Sequence, residues 1–169
     1  IVSDIIMSTA FLMMGITFYV LLKSVNKYVA LVMLVFNIIG VPIMCLNLMS
    51  QYAPLLLLSG ADYLSAFSVD QLNALVLFFM NMHHYGYILA TISYGTYLLP
   101  LGYLVYKSGF MPKILGIMLM IGAFSWLGDL FTKFLIADMN STISTIIQIP
   151  ESIAEFSFFF WLIIKGARE

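Results

Sequence analysis

The sequence predicts an all-α fold, a polytopic transmembrane helical bundle of five spans with an interfacial or re-entrant segment before the third. Three observations lead there. Of 169 residues, 63% are hydrophobic and 9% are charged, with a mean hydropathy of +1.05. A water-facing surface could not be assembled from that composition without filling it with Leu, Phe and Met. Five apolar segments each reach the roughly 20 helical residues that cross a hydrocarbon core of about 30 Å. Basic residues gather in alternate connections, the bias that orients membrane helices.

The same composition removes several function classes. The formal charge is -1 with no basic run, so no nucleic-acid partner is expected. Cys45 is the single cysteine, which excludes an intrachain disulfide and a thiolate metal cluster. No cofactor and no metal site are expected. Residues 1–22 do not read as a signal peptide, because the apolar stretch is too long and lacks a small-residue cleavage site. The natural chain is expected to begin upstream of Ile1.

The first span runs from Ile5 to Leu22 and places Asp4, Ser8 and Gly15 on one face. The second, Tyr28 to Gln51, aligns Asn37, Gly40, Met44, Asn47 and Gln51 within a stripe of roughly 80° at 100° per residue. Between it and the third lies the segment 59–82. "SVDQ" (Ser68–Gln71) has the form of a capping box opening the apolar run "LNALVLFFM". A helix continuous from there to Tyr106 would be about 57 Å long. A break near Asn81–Gly86 is therefore expected, with 69–81 lying along or dipping into the interface; a long tilted helix is the rival arrangement. The third span, His84 to Tyr106, aligns His84, Tyr87, Thr91 and Gly95. The fourth, Ile114 to Ile136, aligns Gly122, Ser125, Asp129 and Lys133. The fifth, Pro150 to Lys165, continues a stripe of Gln148, Glu151, Glu155 and Gly166. Pro112 and Pro150 suit a first helical turn, and Gly109 and Gly166 suit helix ends. The whole of 1–169 is expected to form a single transmembrane domain.

Lys23 and Lys27, Lys107 and Lys113, and Lys165 and Arg168 fall on one side of an alternating path, while Asp4, Asp62, Asp70, Asp138 and Glu151 fall on the other. The positive side is expected to be cytoplasmic, in a cell membrane of the bacterial inner-membrane type, with the C-terminus inside.

Small and polar stripes pack helices together in lipid, so these stripes are expected to face inward. Counting 1.5 Å per residue from the lysines places Glu155 and Asn37 at roughly 15 Å, Asp129 at roughly 24 Å, Asp4 and Asn47 near about 30 Å, and His84 slightly beyond. These six are the candidates for a buried polar or ligand site. A carboxylate in hydrocarbon is costly, so Glu155 is expected to be neutral and to donate to a neighbour, with Asn37 at matching depth. Asp129 and Lys133 stand i,i+4 with the acid first, the order that favours a local ion pair. His83 and His84 are about 100° apart on a helix and cannot both enter one site.

"YVLLKSVNKYVALVM", "LLLLSGADYLSAF", "HHYGYILATISYGTYLLPLGYLVYKSGFMPKILGIML" and "IPESIAEFSFFFWLIIKG" together resemble the bacterial integral-membrane family catalogued as domain of unknown function 4386. The most specific stretch is "LGYLVYKSGFMPKILG". The resemblance covers nearly the whole chain and implies a six-span protein with one helix ahead of Ile1. It implies an acid at the place of Asp129 and the Glu of "IAEFSF", here Glu155. It also implies Asp in many relatives where this chain has His84, which argues against a metal site. It implies no activity.

The sequence supports most a non-enzymatic bundle whose polar core packs helices or binds a lipid or small amphiphile, besides the bilayer itself. A small transporter or proton-coupled sensor using Glu155 is the alternative, with Pro42 as a candidate break in the second span. An intramembrane enzyme is the weakest reading. No HExxH, GxSxG or Walker pattern is present, and His84 and Glu155 differ in depth by almost about 20 Å. No residue is assigned a catalytic role.

Overall fold

In the computed structural model, residues 1–136 and 141–166 are described. Asp138 and Arg168, assigned above to the acidic side and the basic tail, lie outside the described residues. Five helices follow one another, α1 (Val2–Leu22), α2 (Lys27–Leu57), α3 (Val69–Lys107), α4 (Lys113–Leu135) and α5 (Ser141–Lys165), with a short 3-10 turn at Asp62–Ala66. All five are long and apolar enough to cross a membrane. This is an all-helical, multi-pass membrane protein.

The helix ends follow local chemistry. The Asn26 side chain accepts from the backbone N–H groups of Tyr28 and Val29, both at 3.1 Å, and so starts α2. At the start of α3, Ser68 Oγ accepts from Gln71 N at 3.2 Å and Gln71 Oε1 accepts from Ser68 N at 2.9 Å, the reciprocal pair read from the sequence. Gly109 and Gly166, with φ of 76° and 68°, turn the chain out of α3 and α5 in a conformation that side chains resist.

Two expectations are corrected. The break near Asn81–Gly86 is absent, and no interfacial or re-entrant piece is separated from the third span. α3 is a single helix of 39 residues, about 58 Å long. Gly86 does not interrupt it, because this glycine makes room for a neighbour. A Cβ there would collide with the Asn47 side chain of α2. Likewise α5 starts at Ser141, and Pro150 is internal to it. Pro42, Pro54 and Pro100 also lie inside helices. Membrane helices tolerate such prolines because neighbouring groups re-satisfy the backbone, so Pro42 does not break α2.

Neighbours in sequence are neighbours in space, with α1 on α2, α2 on α3, α3 on α4 and α4 on α5. The tightest crossing joins α3 and α4. A Cβ on Gly102 would come 2.7 Å from the Gly116 carbonyl oxygen, and one on Gly116 would come 2.6 Å from that of Gly102. Two facing glycines let the backbones touch, which in lipid is what drives association, since lipid tails are as apolar as Leu. Around this crossing Leu101, Leu104, Val105 and Leu119 are buried together with Leu22, Ala30 and Met33. The dense part of the molecule is therefore its lysine-bearing end. Phe156, Phe159, Phe160 and Ile163 of α5 stay exposed, on the face left for lipid.

Candidate functional site

The inward stripes bring the polar residues to three places. The first is a clamp between α4 and α5. Asp129 is only 1% exposed. Its Oδ1 accepts from Ser144 Oγ at 2.5 Å and its Oδ2 from Gln148 Nε2 at 2.6 Å. Lys133 Nζ also reaches Oδ2 at 2.6 Å. The i,i+4 ion pair is present, and α5 supplies two further donors. Ser144 escaped the sequence reading because α5 was started at Pro150, beyond it. The signal was there, since Ser144, Gln148, Glu151 and Glu155 recur at helical spacing.

The second place joins α2 and α3. Asn47 Nδ2 donates to the His83 carbonyl oxygen at 3.0 Å. Gln51 Nε2 donates to His83 Nε2 at 3.0 Å, which leaves the ring proton on Nδ1, 3.4 Å from the Asn47 carbonyl oxygen. The inward histidine is thus His83. His84 is exposed and lies edge-on to Tyr85 with ring centroids 5.6 Å apart, so it does not join the other candidates. His83 shares its face with Gly86 and Ala90 at i+3 and i+7, and that small-residue spacing was the clue.

Asn37 stands apart from both. It is fully buried, donates from Nδ2 to the Phe11 carbonyl oxygen at 3.0 Å, and packs on Gly15, where a Cβ would strike its amide. Its Oδ1 is buried without a partner. The expected Glu155–Asn37 pair does not form. The two share a depth, but α2 packs between α1 and α3 while α5 packs on α4. Equal depth does not make two helices neighbours.

Glu155 belongs to the third place, a cleft of about 400 Å³ between α1 and α5. Phe11, Met14 and Phe18 form one wall, Glu155, Phe158 and Phe159 the other, and Tyr87, Tyr94, Tyr97 and Trp126 from α3 and α4 the floor. Phe11 sits edge-on to both Tyr94 and Tyr97, with centroids at 4.7 and 5.2 Å, an arrangement aromatic rings favour. Contact between Phe18 and Phe158, 5.5 Å apart, closes the cleft toward the lysine end. Glu155 is half-buried, with Glu151 one turn earlier on the same side of α5. Glu151 is itself buried, with its backbone against Gly122 of α4. Two carboxyl groups so placed can hydrogen-bond to each other only with a proton between them. Asp4 is half-buried at the start of α1. The sequence reading found Glu155 but not this aromatic floor, since tyrosines in a membrane protein also read as packing or interfacial anchors.

Comparison with known proteins adds no activity. An uncharacterized protein of Archaeoglobus fulgidus is 29% identical over 154 residues, which cover 91% of this chain and 75% of that protein. No solved structure matches the chain. The model of the family described as Domain of unknown function (DUF4386) matches residues 1–166. With its helices, its conspicuous Glu155 and nearly its whole length inside that match, this chain belongs to the DUF4386 family.

Proposed function

We propose that this protein is a non-enzymatic transmembrane bundle that binds a lipid or small amphiphile in the cleft between α1 and α5. The observation that carries this is Glu155 at the edge of a 400 Å³ apolar space. Ligand sites are concave, mostly apolar and oriented by a few polar groups, and the cleft has that make-up. The clamp at Asp129 and the Asn47–His83 contact serve packing, because their polar atoms are largely spent on protein partners. Asn37, Asn47 and Asp129 thus hold helices, while Glu155 is left for a ligand. The 1–169 chain acts as one helical domain of a bacterial inner membrane, with its lysine-bearing connections and its C-terminus cytoplasmic.

Native mass spectrometry of the full-length protein released from mild detergent, with Glu155→Gln alongside, tests the reading. A small mass retained by the wild type and lost from the variant is expected. A bare protein in both would contradict it.

The placement of Glu151 and Glu155 one turn apart, with Glu155 on an apolar cleft, favours a second reading, a proton-coupled transporter or sensor, because a proton shared by two such carboxyls can exchange when a ligand arrives. Proteoliposomes under a pH gradient decide it. Proton flux present in wild type and absent in Glu155→Gln supports coupling, and identical behaviour of the two removes it.

A further inference from the structure

The cleft has a sign. Among the described residues that line it none is Lys, Arg or His, and Glu155 is the only carboxylic acid. Lys133 of α4 is paired with Asp129. The remaining polar character comes from ring faces, which carry partial negative charge. A neutral amphiphile would find apolar contact there and leave the carboxylate without a counter-charge, and an anionic one would find no partner for its charge. A cation with an apolar body would find a carboxylate, and aromatic faces that attract cations most strongly when water is excluded.

We propose that the ligand of this cleft is a lipophilic organic cation, a protonated amine or an onium group carried on an apolar body. Its charge lies beside Glu155 and its body lies over Tyr94, Tyr97 and Trp126. The proposal rests on the amphiphile-binding reading above and narrows it to one charge class.

Tetraphenylphosphonium and tetraphenylborate have nearly the same shape and opposite charge, so they separate charge from hydrophobicity. Equilibrium dialysis of the detergent-purified full-length protein against each probe is the experiment. Saturable binding of the phosphonium, at least about tenfold tighter than the borate, is expected. In Glu155→Gln that preference should fall to within about twofold. The wild-type comparison needs no variant and stands even if the substitution disturbs folding. Equal binding of both probes, or tighter borate, overturns the cation class and leaves an amphiphile site. If neither probe binds while native spectra still show a mass lost from Glu155→Gln, the cation class falls and the amphiphile reading stands. If neither binds and the spectra are bare, both fall.

Discussion

Asp129 and Glu155 are acids on adjoining helices of one bundle, and their surroundings differ in kind. Asp129 is closed in by three donors from α4 and α5 that use both of its oxygens. Glu155 faces a cleft, and the described residue one turn before it on α5 is another acid, Glu151. Buried charge persists in lipid when it is paired or when it has work to do. The first acid is paired within the protein. The second has no cation beside it among the described residues that line its cleft, and that asymmetry is why a ligand is assigned to it.

Substitutions can break or sharpen this contrast. The largest effect is expected from Gly122→Val, which strikes the seat that α4 offers to α5. A Cβ there already meets the Glu151 Cα at 3.0 Å, so a branched side chain must push the helices apart. Overpacking of this kind costs about 2–3 kcal/mol, and it should weaken the Asp129 clamp and the cleft together, read as a lowered melting temperature and lost ligand. Asp129→Ala comes next. Removing one partner of a buried ion pair typically costs about 3–5 kcal/mol, but Lys133 is 32% exposed and solvent relieves part of it, so about 2 kcal/mol is expected. Thermal unfolding should show that loss, with Asp129→Asn recovering part of it. Lys133→Met is smaller, about 1 kcal/mol or less, because Ser144 and Gln148 still hold the carboxylate. Glu155→Gln is smallest for stability, within about 0.5 kcal/mol, since no cation is orphaned. Its effect should appear in ligand retention.

Much of this was legible in the sequence. Polar stripes at helical spacing put Asn37, Asn47 and Asp129 inside, and "SVDQ" announced the start of α3. What escaped was relational. Gly86 and Pro150 each carry two meanings, and only the partner helix chooses between them. Gly86 is a seat for Asn47, and Pro150 is spanned by a helix whose first turns deliver Ser144 and Gln148 to Asp129. Depth could be counted along each helix, but the order of helices around the bundle could not, so Glu155 was matched with Asn37 across helices that do not pack together. The choice between His83 and His84 turned on a rotation of about 100° that small residues on the same face could have resolved.

The most direct test of the division between the two acids is thermal unfolding of wild type, Asp129→Ala and Glu155→Gln, side by side in one mild detergent. The account predicts a clear drop for Asp129→Ala and a melting temperature near wild type for Glu155→Gln. A large drop for Glu155→Gln, with Asp129→Ala unchanged, would make Glu155 the structural acid and contradict it.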